Sequence, residues 1–280
     1  MKNILIPTDF SSNAYNAAQY AVELFKDKEC TFYLLNVFTV QNYSTANLMI
    51  AEPGNPAFDS AQIAAQKELK RVMDKLEIKR NPKHTFDILA KYNTLLDEVN
   101  LQIKKKDISL IVMGTKGASG KREVIFGSNA VTIMEKVIDC PVLAIPESAP
   151  IKVPSEIVYP TSYTHNYKLE EIAPLLELVR EHNSVIRVMH VVQEDELSDT
   201  QRKNKQLLEF DLEGIEHSYH LLTNIDPETA IKCFVESRDM DMIAMINRKH
   251  SFFGRIINPP LVKGIGIHSR VPMLVMHRSS

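Results

Sequence analysis

The stretch Asp107-Ile108-Ser109-Leu110-Ile111-Val112-Met113-Gly114-Thr115-Lys116-Gly117-Ala118-Ser119-Gly120, running on through Lys121 to Gly127-Ser128-Asn129, decides the fold. Leu110 to Met113 is a continuous apolar run with no alternation, which predicts a strand covered on both faces. A glycine-rich loop follows, and Ser128-Asn129 opens a segment of helical period over 128–138. Strand, loop and helix in that order form the repeating unit of a parallel sheet with helices on its faces. Glycine is otherwise scarce, at 9 in 280 residues, yet Gly114, Gly117, Gly120 and Gly127 all fall in this loop. Average usage is about 7%, so the clustering itself needs a cause.

Working outward, the same alternation fills the first half of the chain. Short apolar runs at Ile4 to Ile6, Phe32 to Val37, Thr85 to Leu89, Leu110 to Met113 and Val142 to Ile145 are separated by helical segments at Asn13 to Phe25, 60–76, 94–105 and 128–138. The first of these helices places Tyr15, Ala18, Val22 and Phe25 on one stripe, with Ser11 or Ser12 as N-cap. The pattern then repeats. Asn3-Ile4-Leu5-Ile6-Pro7-Thr8-Asp9 is echoed by Glu156-Ile157-Val158-Tyr159-Pro160-Thr161-Ser162, the run from Asp107 to Met113 by Asp239 to Met245, and Cys140-Pro141-Val142-Leu143 by Val271-Pro272-Met273-Leu274. Three ordered matches mark an internal duplication. The proline-rich stretch from Pro146 to Pro154 suits the linker. The expected architecture is therefore α/β, two tandem doubly wound domains of five parallel strands each, over residues 1–147 and 151–280.

Composition narrows the function classes. Apolar residues at 44%, charged residues at 24% and a net charge of −2 describe a soluble globular chain with a full core, neither a disordered segment nor a polycation for nucleic acid. Cys30, Cys140 and Cys233 are odd in number and far apart, which argues against a disulfide framework or a zinc knuckle and for reduced thiols. The apolar run at the N-terminus breaks at Pro7, too soon for a signal peptide. Residues 30–51 lack charge, but Asn36, Gln41, Asn42, Ser44, Thr45 and Asn47 interrupt them, so no membrane span is expected. A cytoplasmic location follows as the expectation. Lys104-Lys105-Lys106 reads as a helix C-terminus favouring cations, and Met113, Met134 and Met189 read as core. His217 and His220 would point to opposite faces of a strand, a poor arrangement for a metal. No catalytic Ser/His/Asp or Cys/His grouping stands out.

In an open parallel sheet, ligands sit outside the carboxyl ends of the strands. In the first half those ends deliver Pro7-Thr8-Asp9, Val37-Phe38 and Met113-Gly114-Thr115-Lys116. Glycines at a strand end allow positive φ and close backbone approach, while a helix N-terminus offers free N–H groups, and together these make a phosphate cradle. A Walker A loop fails because Thr115 stands where its first glycine is required, and no G-x-G-x-x-G occurs. What does occur is Gly114-x2-Gly117-x9-Gly127-Ser128 after a strand ending Ile111-Val112-Met113. With Ile4 to Ser11 before it and Cys140 to Leu143 after it, the first half resembles the universal stress protein family, specifically its ATP-binding members.

That resemblance implies an adenine-nucleotide alpha hydrolase-like fold with ATP, accompanied by Mg2+ where a metal is used. It implies that Pro7, Thr8 and Asp9 face the adenine side and that the backbone of Val37 meets the base edge. Met113, Gly114 and Gly117 would let the chain approach ribose and phosphates, and Gly127, Ser128 and Asn129 would donate to the phosphates. Lys116, Lys121 and Arg122 are placed to add charge. Hydrogen bonds to charged groups contribute about 1.5–3 kcal/mol each; four of them, less several kcal/mol for lost freedom, correspond to affinity of roughly micromolar order. The resemblance further implies pairing through the last strand of each domain, which two fused copies can achieve within one chain or as a homodimer, and a role in stress response. In the second copy, Ile246 and Lys249 replace Gly114 and Gly117, Ser162 replaces Asp9, and Asn258-Pro259-Pro260 stands near the Gly127-Ser128 position. The second copy is therefore expected to have lost the nucleotide site. A slow ATPase or adenylate-forming enzyme, with Asp9 or a metal-bound water as the base, and a nucleotide-free scaffold are the alternative functions.

Overall fold

The computed structural model describes residues 1–40, 52–78, 81–116, 126–166, 168–192, 196–247 and 271–277. Gly117, Gly120, Lys121 and Arg122 of the glycine-rich loop, and Lys249, Pro259 and Pro260 of its counterpart, lie outside these residues. The first half runs β1 (Lys2–Pro7), α1 (Ser12–Leu24), β2 (Cys30–Val37), α2 (Pro56–Glu77), β3 (His84–Lys91), α3 (Leu95–Lys106), β4 (Leu110–Gly114), α4 (Ser128–Lys136), β5 (Val142–Ile145). The second half runs β6 (Glu156–Pro160), α5 (Leu169–His182), β7 (Val185–Val191), α6 (Asp199–Asp211), β8 (His217–Leu222), α7 (Pro227–Ser237), β9 (Met242–Asn247), β10 (Met273–His277). The helix expected between β9 and β10 would fall outside the described residues.

All ten strands join one sheet in the order β3-β2-β1-β4-β5-β10-β9-β6-β7-β8. Each half is parallel throughout, and the strand order reverses between the first and fourth strands of each, as a doubly wound sheet requires. β5 and β10 meet antiparallel, with Met273 opposite Ala144, Leu274 opposite Leu143 and Val275 opposite Val142. The last strands of the two copies thus pair within one chain. Because the halves run in opposite senses, their carboxyl edges lie at opposite ends of the sheet.

The apolar runs become strands buried on both faces: Ile4, Leu5 and Ile6 are fully buried, as are Val142 to Ile145. Each of the Val, Leu and Ile side chains among them contributes about 1.5–3 kcal/mol on leaving water. Ser11 caps α1, its hydroxyl accepting from the Ala14 N–H at 3.2 Å. The buried face of α1 differs from the predicted stripe. It consists of Asn13, Ala14, Ala17, Ala18, Tyr20, Ala21 and Leu24, whereas Tyr15 and Val22 are half-buried at its margin. Small alanines let this helix lie close on the sheet, so the face nearest the strands is set by size as well as hydropathy.

The duplication reaches individual hydrogen bonds. The Thr8 N–H donates to the Leu35 carbonyl and the Thr161 N–H to the Met189 carbonyl, both at 2.8 Å. In each copy the next turn is closed by the threonine hydroxyl, which accepts from Phe10 N or Tyr163 N at 3.1 Å. Phe10 and Tyr163 are both left-handed, at φ 66 and 57, and Asp107 and Asp239 are both at φ 49. Across the junction, Asn247 Nδ2 and His277 Nε2 donate to the Met134 carbonyl at the end of α4, at 3.0 and 2.9 Å. Lys2 pairs with Glu177 and Glu181 of α5 at 3.3 and 2.9 Å. One buried cluster runs from Ile4 and Phe32 through Leu143 to Tyr159 and Val188, so the two halves share a core.

Candidate nucleotide cleft

The carboxyl edge of the first half opens into a cleft of about 350 Å³. Pro7, Thr8, Asp9, Val37, Met113, Gly114, Lys116, Gly127, Ser128 and Asn129 all line it. β1, β2 and β4 and the start of α4 therefore converge on one space, while Gly117, Lys121 and Arg122 lie outside the described residues.

Each wall has a local cause. After β1, the left-handed Phe10 turns the chain back, so that Asp9 Oδ1 accepts from the Ser11 N–H at 3.1 Å and the carboxylate stays at the rim. After β4, Gly114 is needed for closeness. A Cβ there would come within 2.7 Å of Asn13 Oδ1 and 2.8 Å of its Cγ. Among the described glycines only Gly54 and Gly214 have positive φ, and Gly127 has φ −66 as N-cap of α4. Of the two expected uses, close approach is met at Gly114, and Gly127 serves as a helix cap without positive φ. The Gly127 N–H is also already engaged, donating to the Thr115 carbonyl at 2.6 Å. Open donors at this corner begin at Ser128, where the first helical N–H groups have no intrahelical acceptor.

Three residues that sequence reasoning missed hold or line the cleft: Asn36 and Asn93 line it, and Asn13 lies behind its wall. Asn13 is buried and bridges elements: its Nδ2 donates to the Ile145 carbonyl at 3.0 Å and its Oδ1 accepts from the Lys116 N–H at 2.8 Å. Asn36, also buried, donates to the Thr8 carbonyl at 2.7 Å and ties β2 to the turn bearing Asp9. Asn93, beyond β3, donates to the buried Glu98 at 3.0 Å. A single amide inside the apolar run Phe32 to Val37 is a signal that could have pointed to Asn36, because a buried polar group requires a partner.

Chemically, the cleft pairs an apolar floor of Val37, Leu95 and Met113 with one cation, Lys116, one acid, Asp9, and an open helix N-terminus among its described lining residues. That set fits a flat apolar base at one end and an anion at the other. No cysteine is among the cleft's described lining residues, and burial pushes the Cys30 and Cys140 thiols up to about 11 and about 12, away from thiolate reactivity. Among the described residues no group of His, Cys, Asp and Glu is arranged to hold a metal, and no helix is long and apolar enough to cross a membrane.

Fold and cleft together define a duplicated doubly wound α/β protein with a ligand edge in its first half. Residues 1–146 match the model of the universal stress protein family, and the chain belongs to that family. A universal stress protein of Methanocaldococcus jannaschii is 26% identical over 153 residues, covering 51% of this chain and 81% of the relative. Among solved structures, a universal stress protein from Archaeoglobus fulgidus superimposes with a TM-score of 0.68 at 18% identity, covering 99% of this chain and 97% of that one. A putative universal stress protein from Pseudomonas aeruginosa gives 0.59 at 11%, with 99% and 93% covered. At these identities the likeness is one of fold, and it extends over both halves.

Proposed function

We propose that the first-half cleft binds ATP as a ligand and that the protein acts in a nucleotide-dependent stress response in the cytoplasm, with residues 1–147 as the binding domain and 151–280 as its partner domain. The observation that carries this reading is the convergence of Asp9, Val37, Lys116 and the open start of α4 on one cleft at the carboxyl edge. In this arrangement the base lies against Val37 and Met113 near Asp9, and the phosphates meet Lys116 and the N–H groups of Ser128 and Asn129. Helix dipole and charge act in the same sense there. Asp9 is the one described acid lining the cleft, so a Mg2+ ion would be held chiefly by the phosphates and water.

Ser128→Pro tests the reading. Ser128 is the first helical residue, a position where proline is tolerated because its N–H has no helical partner. The variant should fold with an unchanged melting temperature and lose at least tenfold in ATP affinity by isothermal titration, through loss of one N–H and one hydroxyl donor. Unchanged affinity in the folded variant would remove the cradle assignment.

A further inference from the structure

The second half does not simply lose its cleft. A space of about 450 Å³ opens at the carboxyl ends of β6 and β7, within the roughly 300–1,000 Å³ of small-molecule sites. Its back wall reproduces the first cleft with one exchange. By strand register His190 occupies the place of Asn36, and its Nδ1 lies 2.8 Å from the Thr161 carbonyl just as Asn36 Nδ2 lies 2.7 Å from that of Thr8. A carbonyl only accepts, so Nδ1 carries the proton and Nε2 presents a lone pair. His190 is 5% exposed, lines the cleft, and its Nε2 has no hydrogen-bond partner among the described residues. Burial holds its pKa below the usual histidine range, which keeps the ring neutral. Asn36 offers its amide to the same kind of carbonyl, so the exchange leaves the anchor intact and adds an acceptor.

The remaining walls differ from the first cleft in charge. Met189, Val191, Leu197 and Ile231 give an apolar floor, and Ser162 and Thr164 a hydroxyl rim. Among the described lining residues there is no lysine or arginine, and Glu196 is the one charged group. At the register position of Gly114 stands Ile246, whose side chain prevents close backbone approach, and the amide of Asn247 beside it is turned away onto the Met134 carbonyl of the first half. Among the described lining residues a polyphosphate would meet a carboxylate and no cation.

We propose that this cleft is a binding site for an uncharged, nucleoside-sized molecule, whose flat body lies on Met189 and Ile231 and which donates an N–H or O–H to His190 Nε2. The duplicated fold then carries two sites of different chemistry, an anion-accepting one and a neutral one. The second site does not depend on what the first binds.

Adenosine is the probe, titrated calorimetrically into the full chain with and without saturating ATP. One adenosine should bind per chain in the presence of ATP. His190→Ala should weaken it at least tenfold while leaving ATP affinity unchanged. Thr200→Trp, at an exposed position of α6 that lines the cleft, should do the same by filling the mouth, and it keeps the test decisive if the histidine variant is unstable. No adenosine heat, adenosine binding indifferent to both variants, or two ATP molecules bound per chain would each overturn the proposal. Failure of ATP to bind at all would count against the first-half assignment alone, because the adenosine titration without ATP still reads the second cleft.

Discussion

At the scale of single residues, Gly114 shows how a position can be legible while its reason is not. The clustering of glycine marks the loop in the sequence, and position after a strand marks the ligand edge. The constraint itself is tertiary: the amide of Asn13, at the start of α1 and about a hundred residues earlier in the chain, fills the space a side chain would need. Nothing in the spacing of α1 identifies Asn13, because its carbonyl partner, Ile145, comes from the far end of the half. Gly114→Ala should therefore push the start of α1 from β4, weaken the Lys116 contact, and lower stability by about 1–3 kcal/mol in denaturant titration. A neutral effect would show that α1 gives way freely and that the glycine serves something other than packing.

Elements were the most readable level, because continuous apolar runs and helical periods are local. β1, β2, β4 and β5 lie where the runs place them, and Thr94, the first residue of the predicted segment, caps α3, with Lys104, Lys105 and Lys106 in its last turn. What locks elements together was not readable. Asp241, just before β9, is an example. Its Oδ2 accepts from Ser155 N at 2.9 Å, Ser155 Oγ at 2.6 Å and Glu156 N at 3.1 Å, and its other oxygen pairs with Lys152, so one carboxylate fastens the linker to the start of β6. Burial pushes this carboxyl up, but the Lys152 ammonium and the Ser155 and Glu156 donors outweigh it and hold the pKa below the usual value. A depressed folded pKa means stability that is complete above the unfolded value of about 3.9 and is lost as pH falls through the lower folded one. Asp241→Asn should cost about 1–3 kcal/mol near neutral pH, and the gap to the parent should narrow on acidification below about pH 4. A gap independent of pH would assign the cost to packing.

For the whole molecule, duplication and linker were visible in three ordered echoes, whereas the joining of two sheets into one was implied only by family resemblance. No local pattern says that Val142 to Ala144 will find Val275 to Met273 in antiparallel register. The shared core has a thermodynamic consequence. Calorimetry of the full chain should give one cooperative transition, and Leu143→Ala, fully buried at the junction, should lower it as a unit by about 2–5 kcal/mol. Two separated transitions would mean that the halves fold independently of the strand that joins them.

The junction of β5 with β10 also bears on how such a protein can change over generations. In a pair of identical chains related by a two-fold axis, every mutation is written twice, and both ligand edges must tolerate it together. Here the two edges are encoded by separate stretches of a single gene while keeping the paired architecture. A change at Gly114 is not imposed on Ile246, nor one at Asn36 on His190, so each edge is free to drift or be selected alone.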